Sequence, residues 1–169
     1  MLPATQSTSP TTGHKKSLAQ CDFFALIKLS NLPNEEKTKK LGDLKRLAFL
    51  HFLNLDLPQL VGAHDLAELE KMTANPHSID LENVMTYLRT KIPTINAILE
   101  EKLTHIKKEA IMHHYEVELT HLKLEQTTTG ADYLVQILAV ERLLSAIIRN
   151  DWEEVMTTVA YTNPQNNPR

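Results

Sequence analysis

The sequence predicts an all-α fold: a bundle of six to seven helices organised around one long helix at about residues 93–124, with no sheet. Three observations carry this expectation. Apolar residues recur at every third or fourth place through most of the chain. Only 4 glycines occur in 169 residues, too few for the turns of sandwiches and barrels or the phosphate loops of doubly wound sheets. Prolines interrupt the chain at intervals of about one helix, and the stock of Leu, Ala, Glu and Lys between them favours helices.

The stretch 1–17 is rich in Thr, Ser and Pro and holds too little apolar surface to offset chain entropy, so it reads as a disordered arm; 162–169 reads as a disordered tail. Between them, 18–161 reads as a single helical domain. Its 22–91 half consists of short helices, and its 92–161 half of the long helix plus a C-terminal helical hairpin. Asp22 is placed to cap a first helix carrying Phe23, Phe24, Leu26, Ile27 and Leu29. Pro33 suits the first position of a second helix, with Glu35 and Glu36 in its first turn, running to about Leu53 before Pro58 ends that segment. A third helix is expected over about 63–72. Ser78 or Asp80 can cap a fourth that bears Leu81, Val84, Met85 and Leu88.

Pro93 restarts the chain as the long helix. At about 100° per residue, Ile92, Ile95, Leu99, Ile106, Ala110, Val117 and Leu124 fall near one line and predict a buried seam along its whole length. Ile111, Tyr115, Leu119 and Leu122 gather near the opposite side, so the second half should be buried on two faces. Thr127-Thr128-Thr129-Gly130 predicts the break. A sixth helix over about 131–148 is apolar on most of its circumference, which suits a central position or an oligomer interface. Asn150 or Asp151 can cap a last helix holding Trp152, Val155, Met156 and Val159.

Composition excludes several functions. The formal net charge is −3 with a pI near 6.2, so no global positive field gathers nucleic acid or an anionic membrane. The lysines and arginine between Lys37 and Arg46 scatter around the second helix, interleaved with Glu35, Glu36 and Asp43, and read as a solvated surface. No apolar run reaches the length of a spanning helix, and no signal peptide is visible before Ser17. Cys21 is the only cysteine, which rules out an internal disulfide and fits a reducing compartment; a cytoplasmic location is the expectation. No Gly-x-Ser-x-Gly, glycine-rich phosphate loop or Cys-x-x-Cys is present, so an enzyme is not expected.

Histidine is the unusual count, with 8 in the chain and four on the long helix: His105, His113, His114 and His121. His114, Glu118 and His121 are spaced four and three apart on one face, and Glu118-Leu119-Thr120-His121 has the Glu-x-x-His form used by di-iron helix bundles. With His113 alongside, these residues define the alternative reading, a transition-metal site. A complete di-iron set needs a second such pair on another helix, and none occurs. Clustered histidines beside an apolar seam also suggest packing that loosens on protonation near pH 5 to 6.

Leu32-Pro33-Asn34-Glu35-Glu36-Lys37 follows a Phe-rich first helix, and Lys91-Ile92-Pro93 is followed by Glu100-Glu101. In these motifs the stretch 22–110 resembles an uncharacterised bacterial family of short all-helical proteins. The resemblance implies a helical fold and carries no assigned activity and no functional residue. The expected role is therefore a non-catalytic binding, scaffold or assembly module acting through apolar helix faces, with a protein partner or a second copy. The candidate interface residues are Ile137, Leu144, Ile148, Tyr115 and Leu119.

Overall fold

The computed structural model describes residues 16–74 and 80–162, and every regular element among them is helical. The expected arm and tail lie outside the described residues except at their inner ends. There, Lys16 and Ser17 lead into a 3₁₀ turn at Leu18–Gln20, and Thr162 closes the last helix.

α1 (Phe23–Leu26) starts at Asp22, whose Oδ1 accepts from the N–H groups of Phe24 and Ala25 at 2.9 and 3.3 Å. It is shorter than the periodicity predicts. The N–H of Lys28 turns back to the Ala25 carbonyl and that of Leu29 to the Phe24 carbonyl, the paired bonds of a Schellman cap. α2 (Asn34–His51) follows Pro33, which stands at the N-cap, one place earlier than expected. Pro58 does not end the segment. One π-helical turn (Phe52–Asp56) precedes it, with the Leu57 N–H bonded to the Phe52 carbonyl, and α3 (Leu57–Leu60) continues the rod. The wider turn shifts the ladder just where proline lacks a donor and would strike the carbonyl four residues back.

α4 (Ala63–Thr73) and α5 (Leu81–Lys91) complete this half. Asp80 caps α5 through the N–H groups of Glu82 and Asn83; Ser78 lies outside the described residues. Tyr87 donates to Asp65 at 2.8 Å and Lys91 pairs with the same carboxylate at 2.7 Å, which ties α5 to α4.

α6 (Ile95–Thr129) is the long helix, and it runs five residues further than expected. Thr127, Thr128 and Thr129 form its last turn, each hydroxyl donating to a carbonyl three or four residues back. Gly130, at φ 68°, is the actual stop. α7 (Leu134–Ile148) starts three residues later than predicted, with Asp132 accepting from the Leu134 N–H. α8 (Trp152–Thr162) begins where Asp151 accepts from the N–H of Glu154. Because α2, the π turn and α3 form one rod, the described residues contain seven separate helical rods, as expected.

α6 carries two main cores, one at its start and one from its middle onward. Ile95 joins Phe52, Leu57, Leu69, Val84, Leu88 and Ile92; Ile111 and Tyr115 join α1, Val140, Leu143, Ile147, Trp152 and Val155. Ala48, Leu103 and Ile106 form a small cluster of their own. The predicted uninterrupted seam is thereby corrected. Between Ile106 and Ile111 the buried face swings to the opposite side of α6, where α7 packs. The continuation of the first seam stays open, with Val117 and Leu124 at 55% and 60% exposure. The second half of α6 is buried on one face rather than two.

Candidate functional site

Two surface features stand where the chain leaves chemistry or apolar area uncovered. The first is an open groove of about 740 Å3 between the end of α1 and the middle of α6, with Ile27, Ala110, Val117 and Leu122 as its apolar lining. Its polar members are Lys28, His113, His114, Glu118 and His121. Lys28 is aimed by its backbone. As the residue after the α1 cap it takes φ 58°, a left-handed conformation that is uncommon for side chains other than Gly and Asn. Its ammonium donates to both oxygens of Glu118, at 2.6 and 2.9 Å, and lies 5.5 Å from the centre of the Tyr115 ring. Tyr115 is fully buried and donates its hydroxyl to the Leu26 carbonyl at 2.5 Å; burial pushes its pKa well above the ordinary tyrosine value. These contacts join α1 to α6 across some 90 residues of sequence.

The predicted metal set does not assemble. His114 Nε2 lies 3.9 Å from Glu118, too long for a hydrogen bond, and Glu118 is already committed to Lys28. His121 turns to Glu125 at 3.7 Å, and His105 to Glu109 at 3.1 Å. Among the described residues no three His, Cys, Asp or Glu side chains stand together in a way that could hold a metal ion. Equal spacing along one helix places side chains on a common face without making them converge. A ligand set generally needs a second helix to close it, and what faces this one is Lys28, a cation.

Cys21 is poorly set for nucleophilic chemistry. Its thiol donates to the Ser17 carbonyl at 3.4 Å, and burial raises its pKa against the weaker opposing effect of Lys16.

The second feature is the outward face of α7. Of the predicted interface residues, Ile137 and Tyr115 are buried inside the chain, Leu144 and Leu119 are half-buried against the same core, and Ile148 is exposed at 61%. The open apolar side chains are instead Leu134, Val135 and Leu138, at 52%, 77% and 55%, together with Ile148. Leu138 also lines a shallow hollow with Tyr161 of α8, itself 81% exposed. Periodicity marked α7 as apolar on most of its circumference but could not say which arc its own α6 and α8 would cover.

Glu141, Arg142 and Arg149, on or beside α7, are paired within the chain. Lys123 meets Glu141 at 2.9 Å, and Glu154 holds both Arg142 and Arg149, at 2.6 and 2.7 Å. No helix among the described residues is long and apolar enough to cross a membrane. Comparison with family models, with curated proteins and with solved structures returns no match to this chain.

Proposed function

We propose that the protein is a non-catalytic helical binding or assembly module that offers the open face of α7 to another helix. The observation that carries this reading is the exposure of Leu134, Val135, Leu138 and Ile148 on a helix whose opposite arc fills the core. Exposed apolar side chains grouped on one side of a helix mark an interaction surface, and a partner helix is one way of covering them. Glu141, Arg142 and Arg149 near the face are already paired within the chain, so docking there leaves those ions compensated.

The reading separates two neighbouring substitutions. Leu138→Glu should leave the melting temperature within a few degrees of wild type, whereas Ile137→Glu, one residue away and buried, should unfold the chain. In an extract of the native host, gel filtration should show wild-type protein in a species larger than the single chain, and Leu138→Glu at the size of the chain alone. Equal, chain-sized elution of both would overturn the reading. The groove beside Lys28 and Glu118 enters it as a structural joint between α1 and α6.

A further inference from the structure

We infer that the cleft where α2, α5 and α6 meet binds a small organic monoanion, a carboxylate carried on an apolar body. This site lies on the first half of α6, away from the α7 face, and stands independently of the reading above. The cleft encloses about 420 Å3. Ala48 and Phe49 of α2 and Leu99 and Leu103 of α6 supply its apolar lining, and Lys45, Arg89, Asn96 and Glu100 its polar groups. Helical spacing brings them together. Lys45 and Phe49 stand four apart on α2, as do Asn96 and Glu100 on α6, and Arg89 comes from the last turn of α5. The Phe49 ring stacks on the fully buried Phe52, with centroids 6.4 Å apart, so this part of the lining is held in place by the core. A concave volume of this size, apolar side chains and a few polar groups from different helices are the usual make-up of a small-molecule site.

Charge selects the ligand. Elsewhere ionic groups at helix junctions close on one another within the chain, as Lys28 does on Glu118, Lys91 on Asp65 and Lys102 on Asp56. Lys45, Arg89 and Glu100 share one cleft, yet among the described residues none of these three side chains has an ion-pair or hydrogen-bond partner. Two cations against one carboxylate leave a single positive charge, which a monoanion balances. A phosphate dianion would overshoot it and meet Glu100, and a cation would meet Lys45 and Arg89. The planar fork of Arg89 suits the two oxygens of a carboxylate, and Lys45 adds a further donor. Asn96 and Glu100 offer acceptors to a hydroxyl or an amide N–H elsewhere on the ligand. Its apolar body lies against Phe49, Leu99 and Leu103.

Titration calorimetry on the purified full chain tests this with phenyllactate and hippurate, aromatic monoanions that carry an O–H and an N–H respectively. At least one should bind with a Kd of about 1 mM or tighter, and its uncharged carboxamide at least about tenfold more weakly. Arg89→Gln should weaken the acid by about tenfold or more, whereas Arg46→Gln, at an exposed cation of α2 outside the cleft, should leave it unchanged. Arg89 is exposed, so Arg89→Gln should keep the wild-type melting temperature, which separates lost binding from lost fold. Glu100→Gln, which leaves both cations unopposed, should let inorganic phosphate bind where wild type does not. Three results would each overturn the site: no binding of either acid, equal binding of acid and carboxamide, or equal losses in Arg46→Gln and Arg89→Gln. Phosphate binding to wild type as tightly as the acids would overturn the carboxylate as its ligand.

Discussion

His114 sits where several forces meet. Its Nε2 is shut off from solvent without a hydrogen-bond partner, and its ring lies edge-on to Tyr115 with centroids 5.0 Å apart. Desolvation holds its pKa below the usual 6.5; Glu118 pulls it up and Lys28 pushes it further down. His113 and His121 line the same groove. Unfolded, the imidazole takes a proton near pH 6.5, and folded only at lower pH. Its contribution to stability is therefore intact above about pH 6.5 and is lost as the pH falls from there towards the folded pKa. Wild-type protein should melt several degrees lower at pH 5.5 than at pH 7.5, and His114→Gln should show a smaller difference. Coincident wild-type melts at the two pH values would remove this role. The spacing of the histidines along α6 was legible in the sequence. That burial beside Tyr115 would hold the His114 pKa below its usual value was not, because that burial depends on the packing of α1 against α6.

At the level of single helices, two glycines separate backbone conformation from packing. Neither Gly42 in α2 nor Gly130 after α6 has any atom within 4 Å of where a Cβ would stand, so a methyl group meets no obstacle at either place. Gly42 is helical, and alanine there should stabilise the fold by roughly 0.5–1 kcal/mol through lower chain entropy. Gly130 is left-handed at φ 68°, and alanine there should cost about 1 kcal/mol. Urea titrations should return opposite signs; equal signs would mean that the turn after α6 does not need its left-handed residue. The same local physics explains two boundaries that periodicity misplaced. The threonines before Gly130 were read as breakers because β-branched residues are weak helix formers, yet that penalty is at most about 0.7 kcal/mol per residue and the helix runs on to the left-handed Gly130. Pro58 was read as a stop, and the π turn before it lets the rod pass.

For the molecule as a whole, the swing of the buried face along α6 decides which substitutions matter. Leu143, with no exposure, fills the core shared by α1, α6, α7 and α8, and Leu143→Ala should cost about 2–5 kcal/mol. Val117 belongs to the predicted seam but faces the groove, so Val117→Ala should change stability by no more than about 0.5 kcal/mol in chemical denaturation. Similar losses at the two positions would contradict the two-ended arrangement. The number of helical rods, the Asp22 and Asp80 caps and the dominance of one long helix follow from short-range rules, namely periodicity, capping and proline geometry, which act over a few residues and can be read along the chain. Tertiary packing alone chose which side of α6 each core would occupy, that α7 would keep Leu134, Val135, Leu138 and Ile148 outside, and that Glu118 would answer to a lysine rather than a metal. Those outcomes depend on which helix competes successfully for each apolar arc, and that competition is settled between segments some 90 residues apart, as Lys28 and Glu118 are, where no local pattern reaches.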